Sequence, residues 1–332
     1  TQWKLGRTSM GVEFRNEGVR SNVLGKPMKE PQDVPFEKEG QYLKSDNRSN
    51  ISYFLEHNVL LRRFTLSVGV LANYNSALNE GIHFYPGIDA SYRIGDNFRL
   101  YGSWNRALRM PTFTDLYYEG KTNKGNPDLK PEESEAFEVG LKYNTYFLRA
   151  HIAGFYRKGK NMIDWVKEKP EDIWESQNLT KVDNLRIETN QSLLQRELRN
   201  ELYLIRKIEL GSAFIDPDKD SEGYISNYAL DYLKHKFTAQ LSHSIWKGFS
   251  ATWYVRWQDR AGSYTKYENL KPAYEEPYAP YCLVDMKVNW EYQRLNLYAE
   301  LNNLLNSTYY DLGNIPQPGI WFKAGFRYSF KY

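Results

Sequence analysis

Few side chains of this 332-residue chain are arranged for catalysis. A zinc hydrolase needs closely spaced ligands such as His-x-x-x-His, but the histidines here are dispersed. They are His57, His83, His151, His235 and His243. A Gly-x-Ser-x-Gly nucleophile turn does not occur, and Gly120-Lys121-Thr122 lacks the upstream glycine of a phosphate-binding loop. The sequence therefore predicts a protein that is not an enzyme and needs no metal or cofactor.

Carboxylates and sulfur give equally little sign of a metal centre. Asp216, Asp218 and Asp220 alternate and offer oxygens to calcium, but the run lacks the glycine and the terminal Glu of an EF-hand loop. We interpret this run as a solvated turn. Cys282 is the single cysteine, which leaves no intrachain disulfide and no cysteine metal cluster. The net charge of +3 is spread along the chain without a basic stripe, so nucleic acid is not a predicted partner.

Aromatic side chains offer more to a ligand, with 27 Tyr, 16 Phe and 9 Trp. A tyrosine or tryptophan presents stiff apolar surface with a polar tip, which suits binding of a bulky small molecule. Nine of them in predicted loops form the predicted ligand-binding set: Tyr117, Tyr118, Trp174, Tyr224, Tyr228, Tyr264, Tyr267, Tyr274 and Tyr278. The alternative role for each is packing within a loop or at a membrane rim.

The elements that must position these loops are strands. Apolar and polar residues alternate with period two in about fourteen segments, and helical spacing is scarce. In the last segment Phe322, Ala324 and Phe326 share a face opposite Lys323 and Gly325. The predicted strands are roughly 3–22, 45–60, 64–78, 84–94, 98–107, 133–144, 148–166, 181–195, 204–215, 230–246, 249–260, 281–291, 295–306 and 320–332.

The connections at one end of these strands are short, and most of those at the other end are long. Short links are predicted at 61–63, 95–97, 145–147, 247–248 and 292–294. Long ones are predicted at 23–44, 108–132, 167–180, 216–229, 261–280 and 307–319. Tight turns at one end and long loops at the other are typical of outer-membrane barrels, whereas a soluble β-sandwich, the alternative, has no reason to sort its loops. We therefore predict an all-β, antiparallel transmembrane β-barrel covering residues 1–332, with about 14 strands.

Sequence motifs in residues 98–164 resemble those of TonB-dependent outer-membrane receptors. Arg109-Met110-Pro111 is followed by Leu116-Tyr117, then by Asn126-Pro127-Asp128-Leu129-Lys130-Pro131-Glu132 and by Glu138-Val139-Gly140-Leu141-Lys142-Tyr143. The residues carried over from the family motif are Arg109, Pro111, Asn126, Pro127, Leu129, Pro131 and Glu132. Since each proline fixes φ and holds the preceding residue extended, the motif has a second interpretation, in which it shapes a loop without contacting ligand.

The resemblance implies more than this chain contains. Members of the family have an N-terminal plug domain and a short box that engages a TonB-type energy-transducing protein, followed by a barrel of 22 strands. This chain has neither plug nor box and resembles the C-terminal part of such a barrel. Thr1 precedes a strand-like stretch without a signal peptide, which indicates a mature chain or a fragment. Residues 109–118 and 161–166 resemble most the cobalamin-receptor-like branch of Bacteroidota.

The implied function is uptake of a scarce bulky ligand, such as cobalamin, an iron-siderophore or haem, across the outer membrane of a Gram-negative bacterium. Implied partners are outer-membrane lipid, the TonB-type protein acting through the missing N-terminal part, the barrel assembly machinery and the small-molecule ligand. The alternating aromatics Phe326, Tyr328, Phe330 and Tyr332 resemble a C-terminal assembly signal. The alternative function is a complete 14-stranded passive channel for hydrophobic solutes.

Overall fold

Strands account for most of the chain. The computed structural model describes residues 1–78, 81–169, 171–194, 205–220, 223–226, 233–268, 271–312 and 315–330. Its long strands are β1 (Gly6–Ser21), β2 (Gln41–Leu60), β3 (Phe64–Asn75), β4 (Ile82–Ile94), β5 (Phe98–Arg109), β6 (Glu132–Asn144), β7 (Leu148–Lys167), β8 (Trp174–Leu194), β9 (Ile205–Asp220), β10 (Leu233–Trp246), β11 (Phe249–Arg260), β12 (Tyr281–Tyr292), β13 (Leu295–Asn302) and β14 (Trp321–Tyr328). This is the all-β architecture predicted from the alternation.

Smaller elements lie before β1 and in the connections. They are the strands Gln2–Trp3, Lys26–Asp33, Asn123–Lys124, Ile225–Ser226, Ser263–Glu268, Lys271–Pro277, Tyr310–Leu312 and Ile315–Pro316, and one five-residue helix, Phe113–Tyr117. Across the described ranges, no helix is both long enough and apolar enough to span a lipid bilayer.

Each long strand pairs antiparallel with the next one along the chain, from β1 through β14. The result is one up-and-down sheet whose order in space is its order in sequence. Within the residues that the structure describes, no pairing joins β14 to β1. The short strand Gln2–Trp3 pairs with the beginning of β1 at Gly6 and Arg7, and no other described strand covers the outer edges of β1 and β14.

From β10 to β14 the register keeps the apolar residues on one face. Directly opposite residues of neighbouring strands point to the same side of a sheet. Leu241 of β10 lies opposite Trp253 of β11, Trp253 lies opposite Met286 of β12, and Met286 lies opposite Leu301 of β13. Leu301 in turn lies opposite Phe322 of β14. We call this side the apolar face. In a membrane barrel the apolar side of such strands faces lipid.

The opposite side, here called the polar face, carries charges and amides in the same register. Glu300 of β13 accepts from the ammonium groups of both neighbours, Lys287 at 2.7 Å and Lys323. Asn75 of β3 donates to Asn50 of β2 at 2.7 Å. Such pairs satisfy polar groups that face the inside of a barrel rather than lipid.

Connection lengths follow the predicted asymmetry. Tight turns join β2 to β3, β4 to β5, β6 to β7, β10 to β11 and β12 to β13, and we call this end the turn side. Gly95 and Gly248 adopt φ of 63° and 85° in two of these turns, a region that side chains with Cβ disfavour. Residues 22–40, 110–131, 261–280 and 303–320 form long connections at the other end, here called the loop side.

Several predicted boundaries on the loop side were wrong. β7 continues to Lys167 and β8 begins at Trp174, so the predicted loop 167–180 shrinks to residues 168–173. β9 continues to Asp220, which places Asp216 to Asp220 in a strand rather than a solvated turn. Beyond the apolar face both sides of a strand are polar, so alternation disappears while backbone pairing continues. No metal-binding cluster of His, Cys, Asp or Glu occurs in the described residues.

Candidate ligand-binding site

The loop between β5 and β6, residues 110–131, is called here the motif loop. It begins with a short helix that Thr112 caps: its hydroxyl accepts from the backbone N–H of Asp115 at 3.1 Å, and the Asp115 carboxylate accepts from the N–H of Thr112 at 2.9 Å. This reciprocal pair is a capping box. It fixes the path of the chain directly after Pro111.

Arg109 and Glu132 close the base of the motif loop. They are the last residue of β5 and the first of β6, and they lie directly opposite each other. Arg109 Nε donates to Glu132 Oε2 at 2.7 Å, and the backbone N–H of Ile163 on β7 donates to Glu132 Oε1 at 2.8 Å. Glu132 is only 6% exposed. Both ends of the family motif thus hold three strands together.

The middle of the motif loop contacts protein as well. The backbone N–H of Asn126 donates to the carbonyl of Asp115 at 2.9 Å, and its side chain accepts from the N–H of Asp128 at 3.0 Å. Leu129 is buried. Asn178 of β8 donates to and accepts from the backbone of Lys130, at 2.9 and 2.8 Å. These contacts, with the stiffness of Pro127 and Pro131, favour the loop-shaping interpretation of the motif.

Two side-chain hydrogen bonds join the motif loop to β2. The Tyr117 hydroxyl donates to Asp46 Oδ2 at 2.5 Å, and Arg48 Nη1 donates to the carbonyl of Pro111 at 2.6 Å. Burial and the bond to Asp46 raise the pKa of Tyr117 above its usual range. Sequence reasoning missed Asp46 and Arg48 because they are single charged residues in a strand, and only the fold brings them under the loop.

A second cluster, here called the tyrosine cluster, ties the connection 261–280 to the connection 303–320. Its members are Tyr264, Tyr278, Tyr281, Tyr309 and Tyr310. The Tyr264 ring centroid lies 5.2 Å from that of Tyr278 and 5.3 Å from that of Tyr310, and Tyr281 lies 4.6 Å from Tyr309. The Tyr281 hydroxyl donates to Asp311 Oδ1 at 2.6 Å. Tyr264 and Tyr278 are each 8% exposed, so in this structure these two pack loops together.

The other predicted ligand-binding residues divide by exposure. Tyr267 and Tyr274, on the hairpin formed by Ser263–Glu268 and Lys271–Pro277, are 55% and 52% exposed, and Tyr118 is also exposed. Tyr117, Trp174 and Tyr224 are half-buried. Trp174 opens β8 rather than lying in a loop, and the Lys167 ammonium stands 4.6 Å from its ring centroid. Tyr228 lies outside the described residues.

A cleft of about 520 Å³ lies on the polar face of β1 to β5, beside the start of the motif loop. It is lined by residues of β1 to β5 and by Met110. Each of its four arginines has a carboxylate partner: Arg15 and Arg48 pair with Glu17, Arg106 with Glu133 and Glu135, and Arg109 with Glu132. By contrast, Asn50 Nδ2, Asn73 Oδ1 and the Tyr85 hydroxyl are buried and lack a hydrogen-bond partner. The cleft therefore offers neutral donors and acceptors beside its charged side chains.

Most of the chain matches known proteins. A family model described as TonB dependent receptor-like, beta-barrel, matches residues 1–304. The Vitamin B12 transporter BtuB of Vibrio vulnificus (strain YJ016) is 26% identical over 311 residues, which are 79% of this chain and 46% of that protein. The Ferrienterobactin receptor of Escherichia coli (strain K12) is 22% identical over 301 residues, 81% of this chain and 38% of that protein.

Solved structures show the same fold. The siderophore receptor PirA from Acinetobacter baumannii superposes with a TM-score of 0.73 at 16% identity, covering 99% of this chain and 53% of that one. The chain thus spans about half the length of the relatives it matches. These relatives are receptors and transporters rather than enzymes. The up-and-down sheet, with tight turns at one end and long connections at the other, agrees with these matches. The match over residues 1–304 shows that the chain belongs to the TonB-dependent receptor β-barrel family of the Gram-negative outer membrane.

Proposed function

We propose that this chain is the C-terminal barrel region of a receptor that takes up a scarce bulky ligand across the outer membrane. The observation that carries the proposal is the arrangement on the loop side. The tyrosine cluster anchors a hairpin with the exposed Tyr267 and Tyr274, and the motif loop begins beside a cleft whose buried Asn50, Asn73 and Tyr85 have polar atoms without a hydrogen-bond partner. A passive 14-stranded channel is less consistent with the family and with a sheet whose first and last long strands, β1 and β14, do not pair with each other in the described residues.

The missing parts of the receptor complete this proposal. An N-terminal plug and further strands would occupy the polar face and the edges of β1 and β14, and the TonB-type protein would act through that N-terminal part. Phe326, Tyr328 and Phe330 would present the assembly signal, and Tyr332 lies outside the described residues. Membership of the Bacteroidota cobalamin-receptor-like branch stays a prediction.

Within the ligand classes, the cleft favours cobalamin over an iron chelate. Unpaired Asn50, Asn73 and Tyr85 groups match the neutral amides of cobalamin, whereas an anionic chelate needs unpaired cations. The names of two relatives, a vitamin B12 transporter and a ferrienterobactin receptor, supply the two candidates.

The exposed tyrosines test the proposal. In the full-length receptor, Tyr267→Ala with Tyr274→Ala is expected to weaken cyanocobalamin binding about tenfold, because losing a central aromatic contact costs on the order of 1 to 2 kcal/mol. Isothermal titration calorimetry measures this, with ferric enterobactin as the rival probe. Tyr292→Ala removes an equally exposed tyrosine from the turn side and should change nothing. Equal effects of the two changes, or tight binding of ferric enterobactin alone, would contradict the proposal.

Orientation has its own test. In a Cys282→Ser background, single cysteines at Asn123 and Glu275 are expected to react with an impermeant maleimide on intact cells. A cysteine at Lys247, in a tight turn, is expected to stay unlabelled until the outer membrane is opened. Labelling at Lys247 without labelling at Asn123 would invert the topology.

A further inference from the structure

A lysine occupies the tight turn between β10 and β11. Trp246 and Phe249 lie directly opposite each other, so Lys247 and Gly248 form a two-residue turn with φ angles of 25° and 85°. Two-residue turns with positive φ at both positions belong to type I′, which strongly favours Asn-Gly or Asp-Gly. The backbone of this turn therefore does not account for a long cationic side chain at Lys247.

The charge of Lys247 lies on the apolar face rather than toward the inside of the barrel. The pairing register shifts near the end of β10, after Ser244, and Trp246 then lies opposite Phe249. Phe249 shares the apolar face with Trp253, four positions further along β11. The Lys247 ammonium stands 5.3 Å from the ring centroid of Trp246. This cation therefore lies beside an aromatic ring on the lipid side of the sheet.

The neighbouring hairpin adds a second cation and two more rings. Phe249 lies opposite Trp290 of β12 with their ring centroids 5.9 Å apart, and the ring of Trp290 stacks on that of Tyr292 at 5.8 Å. Arg294 lies in the turn between Tyr292 and Leu295, which pair on the apolar face. We call this group the rim patch; its members are Trp246, Lys247, Phe249, Trp290, Tyr292 and Arg294.

Carboxylates do not balance the charge of the rim patch. Lys247 and Arg294 are exposed, and neither forms an ion pair within the described part of the chain. Glu291 points to the polar face, where it accepts from the side chain of Asn296 at 3.1 Å. The backbone N–H of Glu291 donates to the carbonyl of Gly248 at 3.0 Å and holds the two turns together. The patch thus presents two cations on neighbouring hairpins, roughly 10 Å or two strand spacings apart.

The strands that carry the rim patch are complete in this chain. Each of β10 to β13 pairs with a described strand on both sides, so further strands of a larger barrel cannot cover the patch. An N-terminal plug would occupy the polar face, whereas the rings of the patch lie on the apolar face. What meets the patch comes from the membrane side.

These features fit a lipid headgroup. Aromatic residues mark the level at which a barrel meets the membrane interface, and long cationic side chains beside them extend into the headgroup layer. A patch of net positive charge favours a lipid of net negative charge over a zwitterionic lipid, which carries a cation of its own. We propose that the rim patch binds the headgroup of an anionic phospholipid. Its placement in the periplasmic leaflet rests on the orientation proposed above.

Binding is measured on the full-length receptor in detergent micelles by native mass spectrometry. Dioleoylphosphatidylglycerol is the probe, and dioleoylphosphatidylcholine is the zwitterionic reference. The unmodified receptor is expected to bind the anionic lipid about tenfold more tightly than the reference, because each cation near an anionic headgroup adds to the attraction. The variant Lys247→Gln, Arg294→Gln should lose this preference.

The matched control is Arg99→Gln, Lys142→Gln, which removes the same charge near the turn side. Arg99 and Lys142 lie opposite each other on β5 and β6, on the side of the sheet away from the rings of Phe98 and Tyr143. Since these cations do not face lipid, the control should keep the preference for the anionic lipid.

Two single changes of Lys247 separate lipid binding from the structure of the turn. Lys247→Asn introduces the residue that a type I′ turn favours, so thermal unfolding without lipid should occur at an equal or higher temperature. Binding of the anionic lipid should nevertheless fall severalfold. Lys247→Arg keeps the charge and should bind this lipid like the unmodified receptor. Heat-modifiable migration on gels shows that each variant is folded.

Four results would overturn the proposal. They are equal binding of both lipids by the unmodified receptor, an equal loss of preference in the control, full lipid binding by Lys247→Asn, and displacement of the anionic lipid by inorganic phosphate. The last result would make the patch a site for a free anion. Cyanocobalamin binding on the loop side should be unchanged in all of these variants, so a failure of the proposed uptake function is recognised separately.

Discussion

Replacing Leu241 by Arg is expected to abolish assembly of the receptor into the outer membrane, whereas Gln240→Arg should leave it nearly intact. Leu241 lies opposite Trp253, which is halfway along β11 between Phe249 and Trp257 and therefore near the bilayer centre. An Arg on the lipid side at this depth costs roughly 2 to 4 kcal/mol. Gln240 lies opposite Glu209 and Tyr254 on the polar face, where an added guanidinium stays hydrated.

Refolding into lipid vesicles, followed by heat-modifiable gel migration and urea titration, gives the two free energies of unfolding. The pair is matched, since both changes introduce the same side chain at adjacent positions of β10. If Gln240→Arg were as damaging as Leu241→Arg, the assignment of the two faces would be wrong.

Removing Glu132 is expected to release the motif loop. Glu132→Ala leaves Arg109 without its carboxylate and the backbone N–H of Ile163 without an acceptor. Breaking a fully buried pair costs about 3 to 5 kcal/mol, and since Arg109 is half in solvent we expect on the order of 2 kcal/mol. Trypsin should then cleave after Lys121 or Lys124 on intact cells several times faster than in the unmodified receptor.

Glu133→Ala is the control for this change. Glu133 is the next residue, but its side chain is partly exposed and lies 3.6 Å from Arg106, a pair worth less than about 1 kcal/mol. Its loss should leave the cleavage rate unchanged. Equal protection of the loop in Glu132→Ala would show that the Arg109–Glu132 pair is not what holds it.

The strands could be predicted from the sequence because each apolar residue has a polar neighbour on either side. In β14, for example, the contrast between Phe322 and Lys323 shows which side chains point to the apolar face, even before the neighbouring strand is known. The hairpin within residues 261–280 was not predicted, because both of its faces are polar or aromatic and period two has no contrast there. Its strands pair through backbone hydrogen bonds, which do not require particular side-chain types and so cannot be recognised in the sequence.

The burial of individual tyrosines could not be predicted from the sequence either. Tyr264 and Tyr267 lie three positions apart in one strand and so point to opposite sides of it, one buried and the other exposed. Only the fold shows which side is covered, because Tyr310 stacks on Tyr264 from another connection. Likewise, Glu132 stood out in its motif, but the sequence did not reveal Asp46 and Arg48, whose contacts with the motif loop depend on β2 lying beside it.

Because each long strand pairs with its neighbours along the chain, every β-ladder between them can form by adding one hairpin to an existing edge. Among the described connections the longest loop closed at such a step is residues 110–131, and because closure entropy grows slowly with loop length its cost stays modest; topologies dominated by local contacts fold fast. Only joining the first and last strands of the complete barrel requires distant parts of the chain to meet. We therefore expect closure, rather than growth of the sheet, to be the slow step in forming the barrel.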